Sequence, residues 1–277
     1  MLFSTSIKIM KRFKQLSSFG VVFVLLFSSC GFAQSFKYYQ APDKIRIAYT
    51  DTGSGKAIVL LHGFINTGAN WRKTALFKDL VKNGYRVIVP DLRGNGRSDK
   101  PHEDKFYTND IETADVAGII SDLKIKSYAV VGYSRGAIVV AKLLTKDKRI
   151  SQVVLGGMGQ HFTNPNWDRR LMFAEAFSGK AHLHPIAQGA VKYAKSINAD
   201  TLALGFLQKY QPVTLPSELL KFKKSVLIIA GNEDKDNGDP EVLQTYFKNA
   251  TLKIVKGNHN GSYNTEEFSE GVRAFLK

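Results

Sequence analysis

Cysteine is nearly absent from this chain of 277 residues, which contains a single one, Cys30. One thiol cannot close an intrachain disulfide, so the fold must be stable without such a cross-link. Acidic side chains are also scarce, with 24 Asp and Glu against 39 Lys and Arg and a formal net charge of +15. The basic residues are scattered and accompany no nucleic-acid-binding motif. The sequence therefore indicates a solvated basic surface and no nucleic-acid partner.

The apolar run near the N-terminus is too short for a comfortable membrane span, which takes roughly 20 residues. It covers residues 19–27, follows four basic residues and precedes small ones. This order is typical of a secretory signal. We therefore predict a signal peptide over residues 1–33, with cleavage after Ala33, and an exported domain that is periplasmic or extracellular.

A lipoprotein signal is the alternative interpretation of the same segment. It would end before Cys30, and the lipid-modified cysteine would then anchor the chain to a membrane. Without that lipid, no membrane contact is predicted. Four of the 39 basic residues and none of the 24 acidic residues lie in residues 1–33, so the remaining chain carries a net charge of +11.

Beyond residue 33, short apolar runs alternate with amphipathic segments. This alternation predicts an α/β protein with a mostly parallel central sheet and helices on both faces. The predicted strands cover residues 36–40, 44–50, 57–61, 85–90, 126–131, 150–155, 226–230 and 252–255. The predicted helices cover residues 71–83, 109–123, 135–145 and 265–275.

One interval interrupts the alternation. Residues 157–221 contain no convincing buried strand, but three helix-like pieces over 171–177, 186–193 and 201–210. We predict that this interval is a helical lid inserted into a core formed by residues 34–156 and 222–277, because lids enter at the carboxyl edge of a sheet.

Residues 129–137 contain the most informative motif, a strand that ends in Gly132-Tyr133-Ser134-Arg135-Gly136 and leads directly into a helix. Glycine two residues before and two after the serine permits a tight turn in which strand and helix come close together. Such a turn exposes the Ser134 hydroxyl beside a helix N-terminus and leaves the next backbone N–H free to bind an anion. An ordinary helix N-cap is the alternative role for Ser134.

Four further motifs follow predicted strands in a fixed order: His62-Gly63-Phe64, the segment 91–98 (Asp-Leu-Arg-Gly-Asn-Gly-Arg-Ser), Gly231-Asn232-Glu233-Asp234 and Gly257-Asn258-His259. Together with the Ser134 motif, they make the sequence resemble the α/β-hydrolase superfamily, as an esterase- or lipase-like member with a helical lid. The resemblance covers nearly everything after residue 33. No G-x-G-x-x-G element, metal cluster or P-loop is apparent in the sequence, so we predict that no cofactor is required.

The resemblance also implies roles for individual residues. Ser134 would be the nucleophile, His259 its base and Asp234 the acid that orients His259, in the family's chain order. A serine hydroxyl needs such a base, and histidine can accept and return a proton near neutral pH. The backbone N–H groups of Phe64 and Arg135 would form the oxyanion hole.

Several neighbouring residues are given supporting roles or none. Asp91, Arg93, Gly94, Gly96 and His62 are interpreted as structural. The guanidinium of Arg135 departs from the apolar or amide side chains common at this position, and pairing with an acid behind the site is one possibility for it. A solvated turn is the alternative for Asp234, beside Glu233, Asp236 and Asp239. His182 and His184 alternate without nearby acids or cysteines, so no metal is predicted.

The predicted function is that of an exported serine hydrolase which cleaves a carboxylic ester or a related acyl bond. Related epoxide hydrolases and haloalkane dehalogenases carry aspartate where this chain has Ser134. Lactone, amide or carbon–carbon bond hydrolysis, a cofactor-free peroxidase-like activity, and a non-catalytic binding module remain alternatives.

Bulky apolar residues of the predicted lid suggest a small-molecule acyl substrate with a hydrophobic part. Packing of the lid onto the core is the alternative explanation for these side chains. The predicted pocket residues are Phe162, Trp167, Met172, Phe173 and Phe177. The sequence does not determine the oligomeric state.

Overall fold

The computed structural model describes residues 35–277. The predicted signal peptide and the alternative lipidation site at Cys30 lie outside the described residues. Among the helices of the described part, none is both long and apolar enough to cross a membrane.

A single eight-stranded sheet organises residues 35–277, with strand order β1-β2-β4-β3-β5-β6-β7-β8. β2 pairs antiparallel with the edge strand β1 and with β4, and β3 to β8 run parallel to one another. All eight strands were predicted from the sequence, with ends that differ by at most two residues. Their bounds are β1 Lys37–Gln40, β2 Arg46–Thr52, β3 Ala57–Leu61, β4 Arg86–Pro90, β5 Tyr128–Tyr133, β6 Ile150–Gly156, β7 Val226–Gly231 and β8 Ala250–Val255.

Helices cover both faces of the sheet, as predicted. Alternate residues of β3 show this, because Val59 and Leu61 pack on the face that contacts α3, α4 and α9, whereas Ile58 and Leu60 pack on the face that contacts α1, α2 and α10. Continuous apolar strands are expected where a parallel sheet is buried on both sides. The helices are α1 Gly68–Arg72, α2 Ala75–Lys82, α3 Ile111–Asp122, α4 Arg135–Lys146, α5 Asp168–Glu175, α6 Pro185–Ser196, α7 Thr201–Lys209, α8 Pro216–Leu219, α9 Pro240–Thr245 and α10 Glu266–Leu276.

The helix predicted over residues 71–83 is wrong in one respect, since two helices, α1 and α2, occupy this region. Thr74 separates them. Its hydroxyl donates to the carbonyl of Trp71 at 2.7 Å and accepts from the N–H of Phe77 at 3.2 Å. A threonine that satisfies the first turn of a new helix competes with continuing the old one.

Residues 157–221 contain α5 to α8, joined by 3₁₀ and π turns, and no strand lies within this described segment. The segment builds a small apolar core of its own around Phe177, Val191 and Leu204. This core packs against Ile65 and Tyr107 of the sheet domain. The helices thus form a layer at the carboxyl edge of the sheet, where β3, β5, β7 and β8 end.

Candidate active site

Ser134 lies at the junction of β5 and α4 in a strained backbone conformation, with φ 54° and ψ −124°. A Cβ atom added to Gly132 would lie 2.5 Å from the carbonyl carbon of Gly136, and one added to Gly136 would lie 2.7 Å from the carbonyl oxygen of His62. Both positions therefore exclude any side chain. The strain is stored where it lifts the hydroxyl of Ser134 above the sheet edge.

Two hydrogen bonds connect Ser134 to residues from distant parts of the chain. The Ser134 Oγ lies 2.9 Å from Nε2 of His259, and Nδ1 of His259 lies 2.8 Å from Oδ2 of Asp234. His259 follows β8 and Asp234 follows β7, so the carboxyl ends of three parallel strands bring the groups together. The Asp234 side chain is only 3% exposed.

The direction of these two hydrogen bonds is set by the carboxylate of Asp234. A carboxylate only accepts, so Nδ1–H of His259 donates to Asp234. Nε2 of the neutral ring then carries the lone pair and accepts from the hydroxyl of Ser134. This is the arrangement in which an imidazole can remove the proton of a serine.

The two predicted oxyanion donors lie on either side of Ser134. A Cβ added to Gly63 would lie 3.3 Å from Cβ of Ser134, so the end of β3 with Phe64 adjoins the nucleophile position. Arg135 is the first residue of α4. In the described part of the chain, neither backbone N–H donates to a protein acceptor. A helix N-terminus also favours negative charge.

A cavity of about 590 Å³ opens above these groups. Ser134 and His259 line it on the side of the sheet, and α5, α6 and the end of α7 line it on the side of the lid. Trp167 and Phe173, two of the predicted pocket residues, contribute apolar surface. Polar side chains contribute as well; besides Ser134 and His259 they are Asn66, Asn70, Tyr133, Arg135, Arg169, Arg170, Tyr193, Gln208, Gln211, Asp236, Asn237, Asn260 and Tyr263.

Comparison with known proteins identifies the family. A family model described as the alpha/beta hydrolase fold matches residues 56–180. The chain is also 34% identical to the non-heme haloperoxidase of Rhodococcus erythropolis, over 87% of this chain and 99% of that protein. The chain belongs to the α/β-hydrolase superfamily.

Another similar protein is named for an activity other than that of a haloperoxidase. The epoxide hydrolase of Caballeronia sordidicola is 38% identical over 101 residues, which are 36% of this α/β-hydrolase and 30% of that enzyme. The chain therefore matches less than a third of that relative.

Solved structures extend the likeness to the fold of nearly the whole chain. The bromoperoxidase from Bacillus anthracis has a TM-score of 0.66 and 26% identity, covering 87% of this chain and 99% of that one. The esterase from Exiguobacterium antarcticum has a TM-score of 0.74 and 22% identity, covering 87% and 99%.

Three of the predicted pocket residues lie elsewhere in the α/β-hydrolase. Phe162 and Phe177 are 1% and 3% exposed and belong to the apolar cores, and Met172 lines a separate groove on the other side of α5. Arg169, Arg170 and Phe173 of α5 line the cavity and Met172 does not, although the long side chain of Arg170 also lines the groove that contains Met172. The apolar residues of the lid thus mostly pack it onto the core, which was the alternative explanation.

The side chain of Arg135 does not enter the chemistry at the Ser134 hydroxyl. Its guanidinium forms a bidentate pair with Glu112 of α3, at 2.7 and 2.5 Å, and donates to the carbonyl of Leu207 in α7 at 2.9 Å. Both charged groups are almost completely buried. The sequence had suggested pairing with an acid behind the site, and Glu112 is that acid.

Two residues interpreted as structural brace the loops around Ser134. Nε2 of His62 accepts from the N–H of Leu92 and its Nδ1 donates to the carbonyl of Gly63, both at 2.9 Å. Burial lowers the pKa of His62, which keeps this ring neutral. The Asp91 carboxylate accepts from the N–H of Gly68 at 2.7 Å and that of Arg97 at 2.8 Å.

Sequence reasoning missed two residues that contact His259. Only Tyr133 holds it by a hydrogen bond, because Nδ1 of His259 already donates to Asp234 and cannot accept from Asn237. The hydroxyl of Tyr133 donates to the carbonyl of His259 at 2.7 Å, and Nδ2 of Asn237 lies 3.3 Å from its Nδ1 while donating to the carbonyl of Gly157 at 3.1 Å. Tyr133 stood inside the Ser134 motif, but the motif assigns it no role. Asn237 carried no signal in the sequence, because it lies in a loop defined by neither period nor motif.

Within residues 35–277, no group of three or more His, Cys, Asp or Glu side chains is arranged to hold a metal ion. His184, considered as a ligand from its spacing to His182, has its Nε2 2.8 Å from a carboxylate oxygen of Glu175.

Proposed function

We propose that this α/β-hydrolase is an exported serine hydrolase that cleaves a carboxylic ester or a related acyl bond. One observation carries the proposal, namely the continuous hydrogen-bonded chain from Ser134 through His259 to the buried carboxylate of Asp234. Export rests on the charge and apolar order of residues 1–33.

The proposed reaction has two halves. Oγ of Ser134 attacks the carbonyl carbon of the ester while His259 takes its proton, and the negative oxygen that develops is bound by the N–H groups of Phe64 and Arg135. The bond to the leaving alcohol then breaks, and His259 returns the proton to that alcohol. An acyl-Ser134 ester remains on the enzyme.

Water completes the second half. His259 removes a proton from water as its oxygen attacks the acyl carbon, and the same donors bind the second tetrahedral oxygen. Collapse of this intermediate releases the carboxylic acid, and the proton returns to Oγ of Ser134. The ester and one water molecule supply every atom of the two products, so the steps balance.

The similarity to an epoxide hydrolase does not favour epoxide opening here. If Ser134 attacked an epoxide carbon, the product would be an ether between serine and substrate. An ether has no carbonyl carbon at which water can attack, so the enzyme would stay alkylated. A carbonyl substrate avoids this dead end.

A peroxide-dependent reaction is a second candidate, favoured by the 34% identity to a non-heme haloperoxidase across 87% of the chain. Hydrogen peroxide would replace water as the attacking group on acyl-Ser134 and release a peroxycarboxylic acid. The peracid would then oxidise a halide to hypohalous acid and be reduced to the carboxylic acid. The nucleophile and its base would be the same.

A fluorophosphonate probe tests the proposed nucleophile in the folded protein. We expect the native protein to be labelled, and Ser134→Ala to lose both labelling and hydrolysis of para-nitrophenyl esters, with kcat lower by at least about a thousandfold. Ser196→Ala, which changes an exposed serine at the end of α6, is the matched control and should label like the native protein.

The outcomes separate the candidates. Labelling that persists in Ser134→Ala, or its absence from folded native protein, would contradict the serine hydrolase and favour a binding module. If the native protein is labelled, a bromination assay with acetate and hydrogen peroxide shows whether peroxide competes with water for the acyl-enzyme.

A further inference from the structure

One corner of the cavity, where α5 meets the end of α7, is rich in hydrogen-bond donors. Arg170, Gln208 and Gln211 all line the cavity there. The guanidinium of Arg170 is held at the corner by the backbone, because Nη1 donates to the carbonyl of Lys209 at 3.0 Å and Nη2 to that of Pro165 at 2.5 Å. We call this set of three side chains the donor corner.

The donor corner has hydrogen-bonding capacity that the protein does not use. Nε of Arg170 is buried and has no acceptor, and Nε2 of Gln211 is in the same condition. Gln208 and Gln211 are 6% and 5% exposed, so bulk water reaches neither side chain freely. Buried donors are nearly always paired in folded proteins, and two orphaned donors in one cavity corner indicate a missing acceptor.

The charge at the donor corner is also uncompensated. Of the three arginines that line the cavity, Arg135 is paired with Glu112, and Arg169 lies 3.5 Å from Asp236. No carboxylate of residues 35–277 lies within 4.0 Å of Arg170. Burial lowers the pKa of Arg170, and no acidic side chain opposes that effect.

We propose that the substrate of this site carries a carboxylate, separate from the acyl group that Ser134 attacks, which binds at the donor corner. The inference rests on the proposed function and names the substrate class, a half-ester of a dicarboxylic acid or an ester with an acidic alcohol part. A carboxylate at this corner neutralises Arg170 and offers acceptors to the side-chain amides, of which Nε2 of Gln211 has no protein partner. A plain hydrocarbon chain would leave the donors without an acceptor and Arg170 without an opposite charge.

Matched esters test the charge requirement. On the acyl side we compare para-nitrophenyl hydrogen adipate with its neutral methyl ester and with para-nitrophenyl hexanoate. On the alcohol side we compare the hexanoyl ester of para-hydroxybenzoate with that of its methyl ester. The readout is selectivity, the ratio of kcat/KM for the anionic ester to that for its neutral partner.

Two variants change the donor corner in different ways. Arg170→Met removes the charge, and we expect the selectivity to fall about tenfold in one of the two series, the loss of one charge-assisted contact. Because Arg170 also binds carbonyls at the end of α7, this variant can lose stability. Gln211→Met removes an orphaned donor instead, so it should fold at least as well as the native protein while its selectivity falls.

Two controls account for general effects. Lys195→Gln removes one exposed positive charge from α6, outside the cavity lining. Thr50→Val removes a buried hydroxyl without a partner from β2, away from the cavity. Both should keep the native selectivity.

The outcomes distinguish failure of this inference from failure of the proposed function. If native protein hydrolyses the neutral esters but shows the same selectivity in both series as Arg170→Met, the carboxylate subsite is wrong and the serine hydrolase stands. Equal rates for hydrogen adipate and its methyl ester, both above hexanoate, would show recognition of a neutral acceptor and would also overturn the charged class. If no ester is hydrolysed and no probe reacts, the proposed function itself fails.

Discussion

At the scale of single residues, Arg135 combines two separable contributions. Its backbone N–H is a proposed donor to the oxyanion, whereas its side chain joins α4 to Glu112 of α3 and to the carbonyl of Leu207 in α7. The side chain therefore ties the turn that carries Ser134 to a helix of the lid. Because Glu112 is 4% exposed, little water could replace this partner if it were removed.

The pair predicts strong coupling between two substitutions. Arg135→Met leaves a buried carboxylate without a partner, and we expect the free energy of unfolding to fall by about 3–5 kcal/mol. Combining it with Glu112→Gln should recover most of that loss, because the unpaired charge is gone. Chemical denaturation of both single variants and the double variant measures the coupling.

Additive losses in the double variant would contradict this account of the pair. Ester hydrolysis by the folded double variant provides a second check. The backbone N–H at position 135 is unchanged, so activity should persist.

At the scale of structural elements, an ion-paired network ties the antiparallel edge of the sheet together. Asp51 of β2 accepts from Nε and Nη2 of Arg86 in β4, at 2.8 and 2.9 Å, and from Lys37 of β1 at 2.9 Å. The Asp51 side chain is only 5% exposed. The hydrogen bonds from Arg86 hold the pKa of the Asp51 carboxyl below its usual value.

A lowered pKa gives this network a defined pH dependence. It stabilises the fold fully above the carboxyl pKa of the unfolded chain, and the contribution is lost as the pH falls through the lower pKa of the folded state. We expect Asp51→Asn to lower the free energy of unfolding at pH 7 by about 2 kcal/mol. The difference from the native protein should shrink toward zero as the pH falls through the lowered pKa of Asp51.

Urea denaturation at a series of pH values measures this difference. Glu270→Gln, an exposed substitution on α10, is the control and should match the native protein throughout. A difference for Asp51→Asn that does not change with pH would show that packing, and not the charge, is responsible.

At the scale of the whole molecule, the net charge of +11 that remains beyond residue 33, from 35 basic and 24 acidic residues, creates a positive field. Such a field attracts anions over distances comparable to the Debye length, about 10 Å at 0.1 M salt. A donor corner that binds a carboxylate would thus act on substrates already drawn to the protein.

The field predicts a salt effect that the donor corner alone does not. We expect kcat/KM for an anionic ester to fall as sodium chloride rises, while the value for its neutral methyl ester changes little. Arg170→Met should retain this slope, because it removes only one charge from the field. If kcat/KM of Arg170→Met for the anionic ester no longer falls with salt, the whole salt effect comes from the contact at the donor corner.

The sequence by itself determined the order of strands and helices, because a parallel sheet buried on both faces requires continuous apolar runs such as 57–61 and 226–230. It also determined which residue types follow the strands at Ser134, Asp234 and His259. A tight turn requires glycine at particular positions, and here those positions lie within two residues of Ser134 in the sequence. The break at Thr74 was missed because an apolar period continues through it, although the cap ends the helix.

Only the tertiary structure decided what surrounds Ser134. Asn237 and Tyr133 reach His259 across loops that are distant in the chain, and no period or motif encodes such contacts. Along residues 168–177, neighbouring side chains point either into the apolar core or into the cavity, which is why Met172 and Phe177 were misplaced. For the same reason, Arg170 and Gln211 were not expected in the cavity lining. Which side chains share a cavity depends on how separate helices pack, and that is a property of the folded chain.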